Sequence, residues 1–137
     1  MRTFFDSSAF AKRFVEEAGS GEVDRICGRT SALGLSVLCI PEILSALNRR
    51  KREKSLTARQ YSLAKDRLLD DVHDAEVIQL TPPVIAAAAS LLETNDLRAM
   101  DALHITCALE WEPDLFVSSD KAQLKAAKRS GLRTKQV

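Results

Sequence analysis

Short apolar runs alternate with helix-spaced segments from one end of the chain to the other, and no other feature restricts its fold as much. RTFFD at residues 2–6 carries two aromatic residues and suits a buried strand. SSAFAKRFVEE follows at helical spacing, with Phe10 and Phe14 four apart, until GSG at 19–21 breaks it. Glu22–Arg29 predicts a short helix and Ala32–Cys39 a second apolar strand. Pro41 suits the first residue of the helix running through EILSALNRRKREK. After an interruption at Ser55–Thr57, the residues Tyr61, Ala64, Leu68 and Val72 mark another helix. AEVIQLT predicts a third strand, Pro82-Pro83 the start of a helix through Leu92, and LRAMDALHI a helix ended by Pro113. DLFVSSD holds a fourth strand, KAQLKAAKRS a last helix with Gly131 as its C-cap, and LRTKQV a fifth strand. Strands separated by helices pair in parallel and need cover on both faces. The expectation is one α/β domain over residues 1–137.

Composition agrees with that reading. Hydrophobic residues at 45% and charged residues at 28% are the balance of a globular chain, and 137 residues suit one domain with its own core. VIAAAASLL is too short to span a bilayer, and MRTFFDSSAFAKRF lacks the apolar stretch and cleavage site of a signal peptide. The expected location is cytoplasmic, with no membrane partner. Cys27, Cys39 and Cys107 make no CxxC pair and have no nearby histidine pair, so they read as free thiols rather than a zinc or disulfide framework. The net charge of +1 hides two basic clusters. One is Arg49, Arg50, Lys51 and Arg52; the other runs from Lys121 to Lys135. Each suits a phosphate backbone or a solvated helix end.

The acidic residues are more informative. On a helical wheel Asp101, His104 and Ala108 all fall within roughly 40° of Leu97, on an apolar face where an unpaired carboxylate is costly. Asp6 directly follows the first strand and Asp120 the fourth, and in a parallel sheet ligands bind beyond the carboxyl ends of the strands. Glu42 follows the second strand in the first turn of its helix. Each has a plain structural explanation: Asp6 and Asp120 as helix N-caps, with Gln123 placed for a capping box, and Glu42 as a complement to the helix dipole. One shared cleft explains all four at once. Carboxylates gathered there repel one another, and oxygen-only ligands favour Mg²⁺ or Mn²⁺.

Four ordered segments resemble the PIN-domain family, and within it the VapC-type toxin ribonucleases of toxin–antitoxin pairs. FFDSSAFAKRF is similar to the opening strand and first acid, PEILSAL to the segment bearing the glutamate, LRAMDALHITCAL to the third acidic motif, and LFVSSDKAQLKAAKRSGL to the closing one. The resemblance implies a PIN-like three-layer α/β/α sandwich around a mostly parallel sheet of four to five strands. It implies Mg²⁺- or Mn²⁺-dependent endonucleolytic cleavage of RNA, with a cognate antitoxin and a homodimer as partners. Asp6, Glu42, Asp101 and Asp120 are then the catalytic acids, and Asp6, Asp101 and Asp120 the metal ligands. Ser7, Ser8 and Ser119 are expected to hold the carboxylates in place. Arg49, Arg50, Lys51 and Arg52 are expected to meet RNA or the partner. His104 reads as a buried core histidine, with a general-acid role unneeded, and Trp111 and Tyr61 as packing residues. An aspartyl-phosphate enzyme is disfavoured because Ser8 stands where such enzymes carry a second aspartate. A receiver domain is disfavoured because FFDSS lacks adjacent acids. The remaining alternative is a catalytically inactive PIN fold used for RNA binding or protein interaction.

Overall fold

The computed structural model describes all 137 residues and places five parallel strands in the order β3-β2-β1-β4-β5. The strands are β1 (Arg2–Phe5), β2 (Ala32–Ser36), β3 (Glu76–Ile78), β4 (Leu115–Ser118) and β5 (Thr134–Gln136). The helices are α1 (Ser7–Phe10), α2 (Ser20–Arg29), α3 (Cys39–Arg52), α4 (Ala58–Asp74), α5 (Pro82–Thr94), α6 (Ala99–Trp111) and α7 (Lys121–Arg129).

The period-two alternation of the strands builds the two sides of the sheet. Phe5, Leu35 and Val117 face a core completed by Phe10, Ile43, Leu47 and Leu68. Phe4 and Phe116 face the opposite core, completed by Val84, Ile105 and Trp111. Phe4 pairs in register with Gly34 on one side and Phe116 on the other. Glycine is required at 34, because a Cβ there would lie 2.5 Å from the Trp111 ring. The result is the expected three-layer sandwich, with every strand parallel.

Several boundaries differ from the sequence reading. The first helix does not run to Glu17. It closes after one turn and tightens into a 3-10 turn at Ala11–Arg13, which sets Phe14 edge-on against Phe10 at 5.1 Å. GSG is no full break either: only Gly19, at φ 96°, makes the turn, and Ser20 and Gly21 already belong to α2. Helix α3 begins two residues before Pro41, which the first turn tolerates because its backbone nitrogen has no intrahelical acceptor to meet. Helix α6 starts at Ala99, two residues after Leu97. No helix is long and apolar enough to cross a membrane. Cys39 and Cys107 are buried and Cys27 half-buried, all three are free, and burial pushes each thiol up, away from thiolate chemistry.

The strand order fixes where a ligand can bind. The chain proceeds from β1 outward through β2 to β3, then returns to the other side of β1 for β4 and β5. The order therefore reverses between β1 and β4, and the crevice lies beyond their carboxyl ends. Asp6 ends β1, and Asp120 stands two residues past β4.

Candidate active site

Asp6 is the buried acid of this edge, at 4% exposure. Its backbone N–H continues the ladder to the Val117 carbonyl at 3.0 Å, which pins the side chain between β1 and β4. Oδ1 accepts from the Ala9 N–H at 2.9 Å and so caps α1. The Ser8 hydroxyl lies 2.9 and 2.7 Å from the two carboxylate oxygens, and the Ser118 hydroxyl 3.0 Å from Oδ2. Burial still wins over these donors and the His104 charge, and raises the Asp6 carboxyl above the ordinary aspartate range.

Glu42 is tied down differently. Its Oε1 accepts from the Ser7 hydroxyl at 2.8 Å and faces His104 Nε2 at 2.5 Å. A carboxylate oxygen only accepts, so Nε2 carries the hydrogen in this pair. Burial pushes the Glu42 carboxyl up, but the His104 hydrogen bond and charge, Ser7 and Arg98 outweigh it and leave it below the ordinary glutamate range. Oε2 makes no hydrogen bond. The first turn of α3 aims Glu42 across at Ser7 of α1 and His104 of α6.

The helical wheel is less successful for Asp101. Its side chain is 19% exposed, not buried. Helix α6 is buried at Ala102 and at every residue from His104 to Ala108, so it has too little solvated surface for a wheel to distinguish an apolar face. Asp101 sits instead in the first turn, at the crevice, 3.6 Å from Arg98 Nε. Asp120 does cap α7, as its alternative explanation held: Oδ1 accepts from the Gln123 N–H at 2.9 Å. Its other oxygen points outward, 4.0 Å from Arg98 Nη2. One guanidinium thus faces both acids.

Buried side chains connect the four positions. His104 lies one turn after Asp101 on α6 and reaches Glu42, and its Nε2 is 3.1 Å from the Ser7 hydroxyl. Gln123, fully buried, donates from Nε2 to the Asp101 carbonyl at 3.2 Å and offers Oε1 to the Ser118 hydroxyl at 2.8 Å. Ser7 and Ser8 hold carboxylates as expected. Ser119 does not: its hydroxyl is buried without a partner, and only its backbone N–H engages the site, through Ser8. Ser118, one residue earlier and inside β4, takes that place, because only alternate residues of a strand share a face. His104 is the buried, hydrogen-bonded histidine that the sequence suggested, with Glu42 as its partner, and Ser118, Gln123 and Arg98 are the site residues missed in the sequence. Gln123 carried one signal, its spacing from Asp120, although its side chain bonds across to α6 rather than closing a capping box.

The acids line one edge, but no three of the chain's acidic, histidine or cysteine side chains meet closely enough to share an ion. The donor set nevertheless suits a hard divalent cation: it is carboxylate oxygen throughout, one member is buried with its charged form disfavoured, and a side-chain cation already faces two others. Of the basic cluster, Arg50 pairs with Glu17 at 3.0 Å and Lys51 lies over the Tyr61 ring at 5.0 Å. Tyr61 and Trp111 are packing residues, as expected: the Tyr61 hydroxyl accepts from Asn48 at 2.9 Å, and the Trp111 N–H donates to Glu76 at 2.8 Å.

The family model of the PIN domain matches residues 3–129. Ribonuclease VapC45 and Ribonuclease VapC49 of Mycobacterium tuberculosis are each 31% identical to this chain over 116 residues, 84% of this chain and 81% of the relative. Among solved structures, VapC20 of Mycobacterium tuberculosis, a Sarcin-Ricin loop cleaving toxin, superposes with a TM-score of 0.73 at 17% identity, over 98% of this chain and 99% of that one. FitAcB from Neisseria gonorrhoeae gives 0.70 at 12% identity, over 96% and 95%.

Proposed function

Because the chain belongs to the PIN-domain family and is homologous to VapC ribonucleases, we propose that it is the toxin ribonuclease of a toxin–antitoxin pair, cleaving RNA phosphodiesters at this edge. One observation carries the reading for these residues: Asp6 directly follows β1 and Asp120 stands two residues past β4, the strands that flank the reversal of strand order, and hydrogen bonds from the buried His104 and Gln123 hold Glu42 and the Asp101 backbone beside them.

Asp6, Asp101 and Asp120 would hold Mg²⁺ or Mn²⁺. Such an ion, when bound, supplies charge neutralisation and water activation for phosphodiester hydrolysis. Asp6 is the fixed anchor, since Ser8, Ser118 and the Ala9 N–H leave it no freedom. Asp101 and Asp120, each facing the exposed Arg98 guanidinium through Oδ2, complete the set. Glu42, kept ionised by His104 and Ser7, orients the attacking water or accepts its proton through Oε2. Arg98, at 3.6 and 4.0 Å from Asp101 and Asp120, offsets part of their mutual repulsion.

The cytoplasm is the compartment this reading implies. Its partners are a cognate antitoxin and a second copy of the chain. The solved structures that share the fold include a toxin–antitoxin complex from Klebsiella pneumoniae, which supports the first. The outer face of α5, where Ile85 and Leu92 are exposed, supports the second. Light scattering on the eluted protein checks self-association, and a monomer at all concentrations removes it.

The test of the activity is cleavage of total RNA by wild type and Asp101→Asn with Mg²⁺, Mn²⁺ or EDTA. Discrete fragments that need metal and vanish in the variant are expected. Absence of both cleavage and metal binding in the wild type would show a catalytically inactive PIN fold.

A further inference from the structure

We propose that the groove between α1 and α3 carries the RNA strand away from the acidic edge, and that Arg49 grips its backbone there. The inference rests on the ribonuclease reading above. Two adjoining cavities, of about 290 and 300 Å³, share Ser8, Ala11, Ile43, Ala46 and Arg49 and so form one continuous groove. Its inner end opens on Ser7 and Glu42, at the acidic edge. Glu42, Ala46 and Arg49 follow one another at four- and three-residue intervals along one stripe of α3, which places Arg49 two turns, about 10 Å, beyond Glu42.

The charges of the groove favour a polyanion. Its floor is apolar, formed by Ala11, Ile43, Ala46 and Leu47. Its outer carboxylate, Glu17, is already neutralised by Arg50. The cations around it are not equivalent. Lys12 donates to the Ala18 and Val137 carbonyls at 2.7 and 3.0 Å, and Lys51 is turned onto Tyr61. Arg49 lines both cavities and its guanidinium has no ion pair or hydrogen bond within the chain. Arg52, also exposed, lies outside the groove. A guanidinium fork matches phosphate oxygens and sheds its hydration readily. A strand whose scissile phosphate rests against the acids must leave along some surface, and this groove begins there. That continuity favours RNA over an acidic peptide as the occupant.

The test is the salt dependence of binding of a short labelled single-stranded RNA of mixed sequence, followed by fluorescence anisotropy on Asp101→Asn protein in Mg²⁺. Removing one cation that neutralises a phosphate of a single strand lowers the slope of log K against log salt by about 0.7. Arg49→Gln is expected to lower the slope by that amount, Arg49→Lys to restore it, and Arg52→Gln to leave it unchanged. An unchanged slope in Arg49→Gln would show that Arg49 holds no phosphate and overturn the proposal. An equal decrease in Arg52→Gln would overturn it too, by showing a diffuse basic field. The two readings fail separately: cleavage by wild type with an unaffected Arg49→Gln sinks only this inference, whereas no RNA binding and no cleavage sinks both.

Discussion

Asp6→Asn should make the protein more stable while destroying its function, and the structure says how much and at which pH. Asparagine caps a helix as well as aspartate does, so the Ala9 N–H keeps its acceptor. The amide nitrogen replaces Oδ2 and meets two hydroxyls, Ser8 and Ser118, that can turn to accept from it. The Ser118 proton has a second acceptor ready in Gln123 Oε1 at 2.8 Å. At most one hydrogen bond is therefore weakened, a cost of about 1 kcal/mol. Against it stands removal of a carboxylate charge at 4% exposure, where desolvation outweighs every donor around it. Stabilising single substitutions are commonly worth about 0.5–2 kcal/mol, with lost function as their recurrent cost. At about 1 kcal/mol, a chain of this size gains about 4 °C in Tm.

The pH dependence gives the sharper check. Because burial raises the Asp6 carboxyl, the native state prefers the protonated acid. The stability Asp6 contributes is complete below the ordinary aspartate pKa of about 3.9 and is lost as pH rises through the raised native value. Asparagine imitates the protonated acid at every pH. In EDTA the Tm difference between variant and wild type should thus be small in acid and widen towards neutral pH. Adding Mg²⁺ should then raise the wild-type Tm alone, by an amount set by mass action, about 2.7 kcal/mol at a hundredfold excess over Kd. Scanning calorimetry measures both. An Asp6→Asn protein no more stable than wild type at neutral pH without metal would refute the reasoning, since Asp6 would then be only a helix cap.

Three further outcomes follow from other parts of the molecule. Gly34→Ala places a methyl 2.5 Å from Trp111 and should cost about 1–3 kcal/mol in urea unfolding, with recovery when Trp111→Leu is added; an unchanged midpoint would show that the indole moves freely. His104→Gln removes the charge that holds Glu42 low. The stability Glu42 contributes is present above the ordinary glutamate pKa of about 4.3 and lost as pH falls through its depressed native value, so the variant's Tm deficit should be present near neutral pH and close in acid, with a shallower acid limb than wild type. An acid limb of unchanged slope counts against this role. Arg98→Gln removes the guanidinium facing Asp101 and Asp120 and should tighten Mn²⁺ binding in calorimetric titration about two- to fivefold, a modest gain because Arg98 is 85% exposed. Weaker binding would make Arg98 part of the ion's support instead.

The architecture was legible because alternating apolar strands and amphipathic helices have few arrangements, and Phe4–Phe5 and Phe116–Val117 already display the two faces of the sheet. Helix ends were less so. Nothing local distinguishes a first helix ending at Glu17 from one closing at Phe10, since the turn is set by how Phe14 packs on Phe10. The positions of Asp6 and Asp120 after strands could be read directly, but their environments could not. Burial is a property of the assembled edge, so the sequence pointed to Asp101 as the costly carboxylate where the structure buries Asp6. The partners of His104 and Gln123 escaped for the same reason: they lie 62 and 22 residues away in the chain.

Cap and ligand were competing explanations of Asp6 and Asp120 in the sequence, and the structure shows why they need not compete. In a parallel sheet the helix that follows a strand begins at the strand's carboxyl end, so the capping position lies on the edge where ligands bind. Capping takes one carboxylate oxygen. At Asp120 the other, Oδ2, points outward, 4.0 Å from Arg98. At Asp6 two hydroxyls take it, which fixes the residue as an anchor rather than a mobile arm. Alanine at either position removes cap and charge together, and a loss of activity could then be blamed on a frayed helix. Asparagine keeps the cap and removes only the charge. If Asp6→Asn and Asp120→Asn fold as well as wild type yet fail to bind Mn²⁺, the carboxylates are there for the ion. Retained binding in both would make them caps.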